Sequence, residues 1–214
     1  MRRLTQHLLS PSSRFVRLLI AEKRLSCDLV APEDSVDHLP IFKDLDGTRA
    51  VGVWAIVDHL EGTYQDHPMV PEDPVTRADT LRFLDWVLGP FHDQIIRRIV
   101  YEKASTRFTG APIQRAPDMA IVRAGREALR PAMATIGTAG ELHGYLASRE
   151  CALGDLAVAA SLSALDYFGE VPWSEFPAAA EWYVRVKSRP SFRTLLSDRV
   201  PGQPPSAQYA ELDA

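Results

Sequence analysis

Two cysteines, a set of serines ahead of an apolar run and a cluster of cations are the residues whose types could carry chemistry. Cys27 and Cys151 lie far apart and offer neither a disulfide framework nor metal-ligand spacing, a pattern that fits a reducing cytoplasm. A thiol reacts as its thiolate and a helix N-terminus favours that anion, so Cys151, near a helix start, is the more reactive candidate. Ser10, Ser12 and Ser13 stand where a strand gives way to a helix, and a hydroxyl there can cap free N–H groups. His7, His38, His59, His67, His92 and His143 show no ligand spacing, so no metal site is expected. Gly47, Gly52 and Gly62 are isolated and build no phosphate loop. Arg97, Arg98, Lys103 and Arg107 gather near the end of a long helical stretch. Cations there suit the helix dipole, and they would also meet an acidic protein surface.

The elements that must position these residues follow from composition and periodicity. The 214 residues carry 24 Lys+Arg against 28 Asp+Glu, a net charge of −4, and 46% are apolar. That excludes wholesale disorder and a basic field for nucleic acid, and no apolar run approaches the roughly 20 residues of a membrane span. Charge is uneven: residues 51–90 hold two basic and seven acidic groups, residues 91–150 nine and six. Arg3–Leu8 reads as a strand, and a helix opens at Pro11 and ends near Lys23. Cys27–Val30 reads as a buried parallel strand. Ile41-Phe42 and Ala50–Val53 flank the hairpin signal Asp46-Gly47, and Trp54–Gly62 repeats at helical spacing. The division this implies is an α/β unit over 1–66, a Pro-rich linker over 67–74, an all-helical unit over 75–197 and a Pro-rich tail over 198–214. Within the helical unit Pro90 should kink or break the helix over Asp79–Tyr101. Leu153–Phe168, apolar on most faces, should be a central helix.

This order of elements resembles the glutathione S-transferase superfamily, a thioredoxin-like α/β domain followed by an all-α domain. The residues that carry the likeness are Ser10-Pro11-Ser12-Ser13-Arg14, Pro40 before Ile41, Leu153-Gly154-Asp155-Leu156-Ala157, Phe176-Pro177, Trp182-Tyr183 and Arg189-Pro190-Ser191-Phe192. The resemblance implies a cytoplasmic homodimer in which a hydroxyl at the first strand–helix junction, here Ser10, donates to the thiol of glutathione and favours its anion. Ser12 and Ser13 are rivals for that role, and capping alone explains all three. Leu39, the implied cis-Pro40, Gly52 and Val53 fall on the tripeptide site. Val53 lacks the family's hydroxyl and Trp54 adds bulk; losing one charge-assisted hydrogen bond costs about 1.5–3 kcal/mol, about one to two decades of affinity. Ala152 replaces the hydroxyl three residues before Asp155, whose role is structural.

Asp166-Tyr167-Phe168-Gly169-Glu170-Val171-Pro172-Trp173, Val100-Tyr101-Glu102-Lys103 and the stretch from Asp198 to Asp213 resemble an alphaproteobacterial branch of that superfamily that binds the division GTPase FtsZ. For this chain the branch implies a non-catalytic protein with no cofactor, recruited to the division site by FtsZ filaments. The cations Arg97, Arg98, Lys103 and Arg107 and the tail residues Tyr209, Leu212 and Asp213 would meet the partner. The alternative is a working transferase that conjugates glutathione to hydrophobic electrophiles with Ser10 as activator.

Overall fold

The structure is a computed structural model and describes residues 1–33, 39–104, 106–110 and 116–209. Four short strands, β1 (Arg2–Thr5), β2 (Cys27–Val30), β3 (Ile41–Lys43) and β4 (Arg49–Val51), form one sheet in the order β2-β1-β3-β4. β1 and β2 are parallel, with Arg2 opposite Cys27 and Thr5 opposite Val30, whereas β3 runs antiparallel to both β1 and β4. The parallel pair needs a crossover, supplied by α1 (Pro11–Glu22). Pro11 suits the first turn, where its missing N–H has no partner to lose. The β3–β4 hairpin turns at Gly47 (φ 90°), as Asp46-Gly47 predicts. α2 (Val53–Thr63) then packs on α1.

Two readings of the sheet are corrected. β1 stops at Thr5 rather than Leu8, because its ladder partners run out: β2 ends at Val30 and β3 begins at Ile41 opposite Thr5. β2 is parallel but lies at the sheet edge, with Leu29 44% exposed.

The helical half begins with α3 (Pro74–Trp86), capped by Asp73, whose carboxylate accepts from Thr76 N at 2.8 Å. Pro90 does not break the path that follows. A π-helical stretch, Val87–Ile96, carries the chain from α3 into α4 (Arg97–Lys103). The wider i→i+5 turn accommodates a residue that has no N–H to give and a ring that crowds the preceding carbonyl. A short α5 (Thr106–Thr109) precedes α6 (Met119–His143), which is capped by Asp118 and contains Pro131. Every residue of α7 (Leu153–Tyr167) is buried, as a helix apolar on most faces requires. It is ringed by α1, α3 and α8 (Pro177–Lys187), so the first half's helix and the second half's core are one packing unit. A single turn, Pro190–Phe192, leads into α9 (Arg193–Leu196). Among the described residues no helix is long and apolar enough to cross a membrane.

Candidate functional site

The sheet topology brings three stretches to one edge. β1 ends at Thr5 and releases the loop to Ser10, while Thr5 faces Ile41, which in turn faces Val51. Residues just outside these pairs, Gln6–Ser10, Leu39-Pro40 and Gly52-Val53, therefore share that edge. The Leu39–Pro40 bond is cis. The Pro40 carbonyl accepts from Gly52 N at 2.8 Å, and Gly52, at φ 82°, turns β4 into α2. Val53 opens α2 half-buried, and Trp54 beside it is 47% exposed. No side chain caps this helix.

Ser10 is only 7% exposed. It occupies the N-cap of α1, yet its hydroxyl makes no capping bond. Its side chain lies near that of Tyr101, and the Tyr101 hydroxyl lies 3.1 Å from His92 Nε2. The two rings meet edge to face with centroids 5.3 Å apart. Burial raises the Tyr101 phenol, partly opposed by Ser10 and the nearby Arg97 charge. Burial also lowers His92, partly opposed by Asp93. The result is a neutral phenol–imidazole pair that lies between the head of α1 and the π-helical stretch. Such a pair can present one proton to an anion beside Ser10. Sequence reasoning missed Tyr101 and His92 as a pair. The signal was the proline inside a helix, since π turns collect at functional positions. Ser13, a rival for the hydroxyl role, instead accepts from His7 N at 3.3 Å.

The helical half closes over the same loop. Leu9 N donates to the Phe108 carbonyl at 2.8 Å, and His7 Nδ1 lies 3.0 Å from the Arg107 carbonyl. Burial lowers the His7 imidazole, with the Arg107 carbonyl opposing. Gly110 (φ 74°) completes the contact; a Cβ there would sit 2.7 Å from the His7 ring.

The remaining candidates are placed as follows. Arg97, Arg98 and Arg107 are exposed, Arg97 with only a 3.6 Å contact to Asp93. Lys103 is not a free cation: it is ion-paired with Glu170, which also takes a bidentate fork from Arg126 at 2.6 and 2.8 Å. Burial alone would raise Glu170, but Arg126 and Lys103 more than offset it and hold the carboxyl low. The placement of Tyr209 at a partner surface is corrected. Tyr209 is fully buried, donates to the Leu195 carbonyl at 2.7 Å and stacks edge-on against Tyr167. Leu212 and Asp213, like His38, lie outside the described residues. Cys151 is half-buried, and burial, reinforced by Asp155, pushes its thiol far up, against a reactive thiolate; burial raises Cys27 to about 11.

A small mixed sheet with a cis-proline edge, joined through α1 to a helical bundle around one buried helix, is the glutathione S-transferase fold. A glutathione S-transferase from Rhodospirillum rubrum F11 superimposes over the whole of both chains with TM-score 0.93 at 34% identity. FzlA from C. crescentus superimposes over all of this chain and 99% of its own, with TM-score 0.92 at 36% identity. FtsZ-localized protein A of Caulobacter vibrioides is 37% identical over 219 residues, 96% of this chain and 95% of that protein. No family model matches the chain. On that identity and coverage, the chain belongs to the FtsZ-localized protein A family of glutathione S-transferase-fold proteins.

Proposed function

We propose that this protein binds FtsZ filaments and regulates constriction during bacterial cell division, as a non-catalytic homodimer that keeps the transferase scaffold. The observation that carries this reading is the 37% identity to FtsZ-localized protein A along nearly the full length of both chains. Features of the site support it. Val53 offers no hydroxyl at the α2 N-terminus, and no side chain caps that helix. The exposed cations Arg97, Arg98 and Arg107 lie on and just beyond α4, next to that site, and suit an acidic filament surface. Filament binding would bring the protein to the division site.

Co-sedimentation with FtsZ polymers tests it. The protein should pellet with filaments at low salt and be released as salt rises, since surface charge pairs are screened over about 8–10 Å at moderate ionic strength. Failure to pellet at low salt overturns the reading.

The second reading, a glutathione transferase, is favoured by one observation: the buried Ser10 hydroxyl sits at the head of α1 beside the cis-Pro40 edge. Calorimetry with millimolar glutathione and turnover of an activated aryl halide decide it. Binding and turnover that vanish in Ser10→Ala would replace the first reading.

A further inference from the structure

At the opposite end of α1 from Ser10 lies a second concavity, separate from the proposed filament surface. It is a cleft of about 450 Å3 between the end of α1, the segment after α2 and the loop leading into α7, lined among others by Arg24, His67, Met69, Arg149, Cys151 and Arg189. A neighbouring hollow of about 530 Å3 shares Met69, Arg149 and Cys151 with it and extends it toward the start of α3. In the first cleft arginines outnumber carboxylates. Glu22, on one wall, is already taken: Arg189 grips it at 2.7 and 2.8 Å and Ser191 donates to it at 2.6 Å. Arg24, His67 and Arg149 are exposed and make no side-chain hydrogen bond or ion pair among the described residues; Glu22, which His67 faces, and Glu150 oppose them from the cleft's own lining, and Glu72 and Asp73 from the neighbouring hollow.

The backbone supplies an independent observation. Among the described residues the non-glycine positions with positive φ are Arg24 (55°) and His67 (57°), and both line this cleft. Arg24 ends α1, where its N–H bonds to the Ala21 carbonyl and Leu25 N bonds to the Ile20 carbonyl. Glycine is the residue that position favours. An arginine held there against conformational preference, with its guanidinium unpartnered beside a cavity, is strain of the kind that collects at binding sites. Guanidinium groups form forked hydrogen bonds to carboxylate and phosphate.

We infer that this cleft binds a small organic anion carrying two or more carboxylate or phosphate groups, held by Arg24, His67 and Arg149. Calorimetry on the full-length protein at low ionic strength, with citrate and with pyrophosphate as separate probes, tests it. At least one should bind one-to-one with a Kd below about 1 mM. Arg24→Ala and Arg149→Ala should each weaken it about tenfold, while Glu150→Gln tightens it about threefold. Arg123→Ala, an exposed cation elsewhere on α6, should change nothing. Arg24→Gly separates binding from stability: it should weaken the probe as Arg24→Ala does yet raise Tm by about 2–4 °C. Binding of citrate alone assigns a polycarboxylate and of pyrophosphate alone a phosphate compound, and either supports the site. No binding of either probe up to about 10 mM overturns the inference, as does a Kd indifferent to both arginine substitutions.

Discussion

Asp155 holds the start of the buried helix by itself. Its carboxylate accepts from Ala152 N at 3.0 Å, Leu146 N at 2.9 Å and Trp182 Nε1 at 2.9 Å. Ala152 has no hydroxyl to return the favour, so only the acidic half of a capping box is made. Burial nevertheless raises the carboxyl to about 6, with those three donors opposing. The sign follows from linkage. A carboxyl raised in the folded state binds its proton more tightly there, so between the unfolded value near 4 and about 6 stability falls as pH rises. Asp155→Asn removes that titration and leaves an amide facing the Ala152 donor, which should cost about 1–3 kcal/mol near neutrality. Urea unfolding of both proteins checks this: the native advantage should widen by about 1 kcal/mol from pH 7 to pH 5. A pH-independent gap would contradict the raised carboxyl. At this scale the sequence shows which residues are polar in an apolar stretch, and Asp155 and Ser10 stand out for that reason. It does not show that Tyr101 meets His92 beside Ser10, because the head of α1 and Tyr101 are 91 positions apart.

Glycines set how closely the helices approach. Gly125 of α6 faces α4, and a Cβ there would lie 2.7 Å from Ile99 Cγ1 and 2.9 Å from Arg98 Cβ. Gly62, in the last turn of α2, has nothing within 4 Å of that position. Alanine gains about 1 kcal/mol over glycine in a helix interior, but overpacking costs about 1–3 kcal/mol. Gly62→Ala should therefore raise stability by about 0.5–1 kcal/mol, whereas Gly125→Ala should lower it by about 1–2 kcal/mol. Midpoints from denaturant titration of the two variants should move in opposite directions. The elements themselves were readable wherever a local rule suffices: α1 from Pro11 and its apolar spacing, the hairpin from Asp46-Gly47, α7 from apolar residues on most of its faces. They were not readable where a neighbour decides. β1 is cut short by its partners, and the path through Pro90 is preserved by a π turn that packs Phe91, Ile95 and Ile96 into the core.

The whole molecule is joined by charges buried far from the sheet edge. Arg14 and Arg17 of α1 both bind Asp198, at 3.1 Å for Arg14 and as a bidentate fork at 2.9 Å for Arg17. Arg14 also donates to Ser163 of α7 at 2.8 Å and to the Leu8 carbonyl at 3.0 Å, and its guanidinium lies over the Tyr167 and Tyr209 rings. The Pro-rich tail, which the sequence presents as an extended segment, therefore packs on its own chain as far as Tyr209. Its Gln203 and Ser206 bond to Tyr167 and Asp166 of α7. Asp198 thus ties the tail to the first half's helix, and Arg14 carries the link on to the central helix. Removing it with Asp198→Ala leaves two guanidinium groups without their anion in the interior, and breaking a buried pair in this way costs about 3–5 kcal/mol. Because α1 is shared between the halves, that loss should fall on the entire fold. Unfolding in urea should remain a single transition by both circular dichroism and tryptophan fluorescence, with its midpoint lowered. A loss below about 1 kcal/mol would mean that the pair behaves like an exposed one. Two separated transitions would mean that α1 and α7 hold the halves together less strongly than the Asp198 network does.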